Sequence, residues 1–176
     1  MKATGIVRRI DELGRIVIPK EIRRVLRIHE GDPIEIFTDE NGVRLQKYAR
    51  IREIGDFAET YCQALCGALG FSAAVTDTET VLFASGSLKK RLLGLPLSKP
   101  YIDRIRSQQV LSESQGFALS DKTEPIRKLC AAPILTMGDL VGSVLIATDD
   151  ERLELKETEV CILKTAALYL GKQLEG

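Results

Sequence analysis

Apolar and polar residues alternate with the period of a β-strand through much of the first 50 residues, and turn signals separate the runs. Gly14 closes one such turn after Asp11, and Asn41-Gly42 is a strong signal for a hairpin. The pattern predicts four short strands, at residues 3–10, 15–18, 33–37 and 43–48.

One short helix is predicted between the second and third strands. Pro19 suits the first turn of a helix, because its φ angle is already set and its missing N–H costs little there. Ile22, Val25 and Leu26 follow at helical spacing and predict a buried apolar stripe, and Gly31 is the expected stop. The N-terminal part is therefore predicted to have the order β-β-α-β-β.

Longer elements are predicted from residue 54 onward. Helical spacing of apolar residues runs from Ile54 to Leu69, and a last helix is expected from about Leu155 to Leu174. The apolar face of the last helix is wide enough to pack on its own sheet and on a second chain. Between these helices the pattern predicts a hairpin of strands 72–76 and 80–85, a helix from about Lys99, and a hairpin of strands 129–136 and 140–147.

Four cations lie on the face of the short helix opposite its apolar stripe. Lys20, Arg23, Arg24 and Arg27 stand at i, i+3, i+4 and i+7. Like charges at this spacing repel by about 0.2–0.5 kcal/mol per pair, and Glu21 lies off the stripe. The stripe is therefore predicted to bind an anion such as a phosphate backbone; a solvated charged face is the alternative.

The net charge of zero hides an asymmetry along the chain. Residues 1–53 hold 12 Lys or Arg against 9 Asp or Glu, a net charge of +3. Residues 54–176 hold 13 against 16, a net charge of −3, and residues 1–28 alone hold 8 against 3. This segregation predicts that only the N-terminal part binds a polyanion.

Composition argues against a membrane, secreted or metal-dependent protein. No apolar run approaches the roughly 20 residues that span a bilayer, and the N-terminus lacks the apolar core of a signal peptide. The four cysteines form no C-x-x-C pair and His29 is the only histidine, so we expect no metal, no cofactor and no catalysis. Cys62 and Cys66 share an apolar helical face and are expected to be inert core residues.

The N-terminal part is too small to bury itself well. A unit of about 50 residues buries a low fraction of its surface and commonly needs a metal, a disulfide or a partner chain. Since the sequence supports neither a metal nor a disulfide, we expect a dimer that shares its core.

The segments GIVRRIDELGRIVIPKEIRRVL, DPIEIF and NGVRLQKY resemble the AbrB-like, or transition-state-regulator, swapped-hairpin family. The resemblance implies that two chains interleave their hairpins into one β-barrel-like core whose cationic surface binds double-stranded DNA. It implies DNA contacts for Arg8, Arg15, Arg23 and Arg24, to which we add the cations Arg9 and Lys20 as candidates. The alternative for any one of them is a surface ion pair with Asp11, Glu12 or Glu21.

The segments GFSAAVTDTETVLFASG and CAAPILTMGDLVGSVLIATDD resemble GAF domains. This resemblance implies an α/β sandwich with an antiparallel sheet, used to sense an unidentified small-molecule ligand or for oligomerisation. Together with the wide face of the last helix, it leads us to expect a tetramer joined through the GAF helices.

We therefore expect an α+β protein with a swapped-hairpin domain at residues 1–50, a linker or helix start at 51–55, and a GAF-like domain at 56–176. This combination resembles a family of sporulation regulators, which implies a cytoplasmic, nucleoid-associated transcription factor that activates and represses genes. The main alternative is an antitoxin-like interaction protein, although such proteins usually carry a disordered acidic tail. A GAF-based thiol reductase is a third hypothesis, and it needs a reactive cysteine.

Overall fold

The computed structural model describes residues 5–26, 28, 30–40 and 42–175. The chain divides into two compact units between Tyr48 and Ala49. Several predicted features lie outside the described residues: positions 3 and 4 of the first strand, Arg27 of the cation stripe, His29 and Asn41.

The N-terminal unit contains the predicted helix. Helix α1 (Lys20–Val25) begins directly after Pro19. It ends earlier than the sequence suggests, where the Ile28 N–H donates to the Arg23 carbonyl at 2.8 Å, five residues back instead of the four of a regular helix. Bonds of this kind close the last turn of a helix.

The predicted hairpin of the N-terminal unit is confirmed. Strands β1 (Ile34–Asp39) and β2 (Gly42–Lys47) pair antiparallel, with Asp39 opposite Gly42. This short connection fixes the register of every pair further along the hairpin.

The two strands predicted at the start of the chain are wrong for the chain as described. Residues 5–10 and 15–18 form no strand. Their shared backbone bonds are those of a turn: Asp11 N–H donates to the Arg15 carbonyl and Gly14 N–H to the Asp11 carbonyl, both at 3.0 Å. Alternation gives the side-chain pattern of a strand, but a strand also needs a neighbour for its backbone hydrogen bonds, and no segment of the described chain forms that ladder.

The apolar stripe of α1 is also not buried as predicted. Ile22 is half-buried, whereas Val25 and Leu26 are 80% and 53% exposed. Between residues 5 and 48, no side chain whose burial is described is buried, because one short helix and a two-stranded hairpin cannot cover one another. The large apolar residues that stay exposed are Ile6, Val7, Ile10, Leu13, Ile16, Val17, Val25, Leu26, Ile36 and Val43.

The C-terminal unit is built on one antiparallel sheet of five strands. Its elements are a 3-10 helix (Arg50–Ile54), α2 (Gly55–Leu69), β3 (Ser72–Thr76), β4 (Val81–Ser85), α3 (Lys89–Leu92), α4 (Lys99–Arg106), β5 (Leu111–Glu113), β6 (Lys128–Thr136), β7 (Asp139–Thr148) and α5 (Glu157–Gln173). The strands lie in the order β4-β3-β7-β6-β5, so β7 is central and pairs with β3 and β6.

Local chemistry explains most of these boundaries. Helix α2 ends at Gly70, whose φ of 73° suits glycine. Helix α4 begins where the Ser98 hydroxyl accepts the Tyr101 N–H at 3.3 Å. Strands β6 and β7 are joined by Met137 and Gly138, with φ angles of 51° and 90°. The long predicted elements are confirmed, whereas the 3-10 helix, α3 and β5 are too short to show a period in the sequence.

Both faces of the sheet are covered. Along β6, Cys130 and Ile134 join the core under α2 and α5, whereas Leu129 and Ala131 join the core under α3 and α4. Because neither face is solvated, the central strands are apolar almost throughout rather than alternating.

Gly171 lets α5 lie directly against β6. A Cβ atom at Gly171 would lie 2.1 Å from the Leu135 carbonyl oxygen, far closer than such atoms approach in proteins. Gly67, which is exposed on α2, has no atom within 4 Å of the equivalent position. The two helical glycines therefore differ in whether a methyl group can be accommodated.

We expect Gly171→Ala to destabilise the protein by about 1–3 kcal/mol, because α5 must move away from backbone atoms. Gly67→Ala is the matched control and should be neutral or stabilising by up to about 1 kcal/mol, since alanine has the higher helix propensity. Chemical denaturation of the full chain measures both. Equal stability of the two variants would contradict the close approach of α5 to β6.

Candidate nucleic-acid interface

The candidate DNA-binding cations lie on three consecutive pieces of the N-terminal unit. Arg8 and Arg9 belong to the extended segment before the turn at 11–14, and Arg15 follows that turn directly. The remaining candidates are on α1, where the spacing of Lys20, Arg23 and Arg24 puts them on one helical face. All six side chains are exposed: Arg8, Arg9, Arg15, Lys20, Arg23 and Arg24.

The turn before Arg15 is organised by the carboxylate of Asp11. Its Oδ1 accepts the backbone N–H groups of Leu13 and Arg15, at 3.0 and 2.8 Å. Its Oδ2 accepts Nε of the Arg15 side chain at 2.7 Å. The backbone and guanidinium of Arg15 hold the pKa of this carboxyl below its usual value. The ion pair considered as an alternative is thus present at Arg15.

The other five candidate cations differ from Arg15. Within the described part of the chain, none of Arg8, Arg9, Lys20, Arg23 and Arg24 forms an ion pair. Lys20, Arg23 and Arg24 lie on one face of α1 and repel one another, and no described acid pairs with them. This face is therefore suited to an external anion.

Arg44 is a cation that sequence reasoning missed. It lies opposite Phe37 in the β1–β2 register, and its guanidinium carbon is 4.6 Å from the centre of the Phe37 ring. The hairpin register pairs these residues once Asp39 is set opposite Gly42, so the contact could have been found from the turn signal. It is a cation–π contact that orders the hairpin surface.

The C-terminal unit holds a buried hydroxyl cluster. Tyr101 Oη and Thr76 Oγ1 each lie within hydrogen-bond distance of Ser143 Oγ, at 2.8 and 2.7 Å. Burial raises the pKa of the Tyr101 hydroxyl. The cavity beside this cluster measures about 10 Å³, which is room for about one water molecule.

A larger, open cleft of about 460 Å³ lies at the start of β6. Its cations are already engaged: Arg127 pairs with Glu151, and Lys128 Nζ donates to the carbonyls of Glu151 and Leu153 at 2.9 and 2.6 Å. A ligand here would compete with these contacts.

The outer surface of α2 and α5 carries an aromatic cluster. The rings of Phe57 and Tyr169 are 5.4 Å apart, and Tyr61 lies 6.2 and 6.1 Å from them. Ile162, seven residues before Tyr169, lies on the same face of α5, and Leu168 is 71% exposed on the neighbouring face. Soluble proteins rarely leave such a surface in water unless a partner covers it.

Two of the four cysteines are buried. Burial raises the pKa of the Cys62 thiol to about 12 and that of Cys130 to about 11. Cys161 is exposed on α5. Among the residues that the structure describes, no group of His, Cys, Asp or Glu is arranged to hold a metal ion, and no helix is long and apolar enough to cross a membrane.

Two family models match the chain. The model for the stage V sporulation protein T C-terminal, a transcription factor, matches residues 53–175. A model described as antidote-toxin recognition MazE, bacterial antitoxin, matches residues 7–53. The two matches meet at residue 53, close to where the two compact units divide.

Stage V sporulation protein T of Bacillus subtilis (strain 168) is 44% identical over 180 residues, which cover 99% of each chain. The chain belongs to the stage V sporulation protein T family. The transition state regulatory protein AbrB of the same organism is 58% identical over 48 residues, covering 27% of this chain and 50% of that protein. The GAF domain of Thermosynechococcus elongatus PixJ has a TM-score of 0.58 at 14% identity, covering 72% of this chain and 87% of that one, which shows the fold alone.

These matches confirm the main predictions from the sequence. The α+β architecture combines an AbrB-like N-terminal module with a GAF-like C-terminal one. The stage V sporulation protein T family consists of transcription factors, so the prediction of a DNA-binding regulator of sporulation is confirmed.

Thiol alkylation of the native protein tests the absence of a reactive core cysteine. We expect Cys161 to react readily and Cys62 and Cys130 to be protected, because the latter two are buried with raised pKa values. Peptide mass spectrometry after a short pulse at neutral pH identifies the modified residues, and the unfolded protein is the control for full reactivity. Fast modification of Cys62 in the native protein would favour the thiol reductase.

Proposed function

We propose that the N-terminal unit binds double-stranded DNA through Arg8, Arg15, Arg23 and Arg24, with Arg9 and Lys20 adding positive charge beside them. The observation that carries this proposal is the set of exposed cations, on α1 and on the segment before the turn, that form no ion pair with any described residue. Cations on an extended segment, a turn and a six-residue helix suit phosphates more than a long run of base edges. Most of the binding free energy is therefore electrostatic.

The same unit is proposed to be a dimer with a shared core. Ten large apolar residues between Ile6 and Val43 remain exposed in one chain. The segments 5–10 and 15–18 have strand patterning and no ladder within the described chain. A second copy supplies both the missing strand partners and the cover for these side chains.

The salt dependence of DNA binding tests the arginine assignment. Replacing Arg23 or Arg24 with Ala should flatten the plot of log affinity against log salt by about 0.9 for each phosphate that the variant no longer neutralises. Thermal stability should change little, because the side chains are exposed and like-charge repulsion is relieved. Fluorescence anisotropy with a labelled duplex at several salt concentrations measures the slope.

Arg106→Ala is the matched control, since Arg106 is an exposed arginine on α4 of the other unit. It should keep the parent slope. If Arg23→Ala and Arg24→Ala melt early and also keep the parent slope, both arginines are structural and the assignment fails.

We further propose that the C-terminal units pair through the outer surfaces of α2 and α5, which makes the whole protein a tetramer. The aromatic cluster of Phe57, Tyr61 and Tyr169 and the exposed Leu168 support this proposal. The proposed domain boundaries are residues 1–50 for DNA binding and dimerisation, 51–55 for the connection and 56–176 for the GAF-like domain.

Sedimentation of a surface variant tests this second contact. Leu168→Glu should convert tetramers into dimers, because it places a charge in an apolar contact. Leu93→Glu, at a half-exposed leucine after α3, is the control and should sediment like the parent. A tetramer that survives Leu168→Glu at micromolar concentration would rule out pairing through this part of α5.

Ligand sensing is the other role proposed for the C-terminal unit. The cavity beside Tyr101 measures about 10 Å³, whereas small-molecule sites typically measure about 300–1,000 Å³. Oligomerisation is therefore the role that the described geometry supports better. In the cell, we propose a cytoplasmic, nucleoid-associated, non-enzymatic regulator that both activates and represses genes.

Toxin binding is the second candidate function, because the family model over residues 7–53 is described as an antitoxin. Antitoxins of this kind wrap their toxins with disordered tails. Here residues 50–173 fold around a sheet with a core on each face, which argues against that mode. A pull-down with the full chain that returned a nuclease would favour the antitoxin, and recovery of DNA alone would favour the regulator.

A further inference from the structure

We propose that Asp11 is a positioning residue for DNA recognition: its carboxylate holds the Arg15 side chain in place on the turn before the duplex arrives. This inference rests on the proposed function, in which Arg15 contacts DNA. It assigns a role to an acid that lies in the most positively charged part of the chain.

The two oxygens of the Asp11 carboxylate accept hydrogen bonds from different groups. Oδ1 accepts the backbone N–H groups of Leu13 and Arg15 and so shapes the turn. Oδ2 accepts Arg15 Nε at 2.7 Å and so orients the guanidinium. Both terminal Nη nitrogens of Arg15 have no partner among the described residues, which leaves two donors available to a phosphate or a guanine edge.

The contribution of the Asp11–Arg15 ion pair to folding stability is too small to account for it. The side chains of Arg15 and Asp11 are 71% and 43% exposed, and ion pairs at such exposure contribute little to folding. A free arginine, in contrast, loses rotamer freedom when it binds, and a pair that fixes the side chain beforehand removes part of that loss. The geometry therefore favours recognition over folding.

Simple electrostatics predicts the opposite effect of Asp11 on DNA affinity. A carboxylate near a phosphate backbone repels it, so removing the charge should strengthen binding. The lowered pKa keeps Asp11 ionised at neutral pH, so the repulsion is always present. If Asp11 positions Arg15, removing its charge weakens binding instead, and the sign of the change separates the two roles.

Asp11→Asn is the variant that isolates the positioning role. The asparagine oxygen can still accept the two backbone N–H groups of the turn, whereas its NH₂ group cannot accept from Arg15 Nε. We expect the affinity of the full-length protein for a duplex to fall by roughly 2- to 10-fold for each Arg15 that engages DNA. The melting temperature should stay close to that of the parent.

Glu12→Gln is the matched control, because it removes a neighbouring exposed acid that forms no ion pair with Arg15. It should leave DNA affinity unchanged or increase it. The double variant Asp11→Asn, Arg15→Ala completes the cycle. Once Arg15 is absent, Asp11→Asn should no longer weaken binding and should increase affinity slightly.

The outcomes distinguish this inference from the proposed function. If Arg15→Ala leaves DNA affinity unchanged, the assignment of Arg15 fails and the inference fails with it. If Arg15→Ala weakens binding but Asp11→Asn strengthens it as Glu12→Gln does, Arg15 keeps its role and the positioning role of Asp11 is overturned. An Asp11→Asn protein that loses its fold or its dimer would show that the carboxylate acts through the turn, which also overturns the inference.

Discussion

The N-terminal unit is too small to bury its own apolar side chains. A six-residue helix and a two-stranded hairpin cannot enclose Val7, Val17 or Val25, which are 73–89% exposed in one chain. Each square ångström of apolar surface left in water forgoes about 25 cal/mol of stabilisation, so in the proposed dimer folding of this unit and association with a second copy are one process. In that dimer the cations of α1 are expected to stay accessible, because they lie on the helix face opposite the apolar stripe.

The C-terminal unit, in contrast, buries its apolar core within one chain. Its sheet is covered on both faces, and Gly171 brings α5 within backbone contact of β6. What it leaves exposed is the outside of its helices, around Tyr169 and Leu168. One chain thus carries two surfaces of different kinds that are proposed to self-associate. Two such surfaces on one chain either close into a symmetric assembly or grow into a filament.

The sequence predicted the long elements and the family, and it failed where the answer depends on neighbours. Periodicity located α2 and α5, and the turn signal located the β1–β2 hairpin, because these features are local. Two predictions fail for a single chain: residues 5–10 form no strand, and Val25 and Leu26 are exposed. An apolar pattern shows which face of a segment is suited to burial, but not whether the same chain or another one covers it.

The candidate site was predictable to the same degree. The arginines came from charge spacing and the family resemblance, and the Asp11–Arg15 pair was foreseen only as a competitor of DNA binding. The hydroxyl cluster could not be predicted from the sequence, because Ser143 is 42 residues from Tyr101 and 67 from Thr76. Sequence patterns that extend over one helix or hairpin carry no information at such separations.

The absence of a buried side chain among the described residues between 5 and 48 has a consequence for dosage. In the proposed dimer, the core of the DNA-binding unit forms only from two chains, so the concentration of dimers varies with the square of protomer concentration when the protein is scarce. Halving expression in that regime removes about three quarters of the competent dimers. If this dimer is the DNA-binding form, a gene controlled by the protein responds more steeply than in proportion to protomer concentration. This steeper response would follow from the incomplete hydrophobic core of the single N-terminal unit.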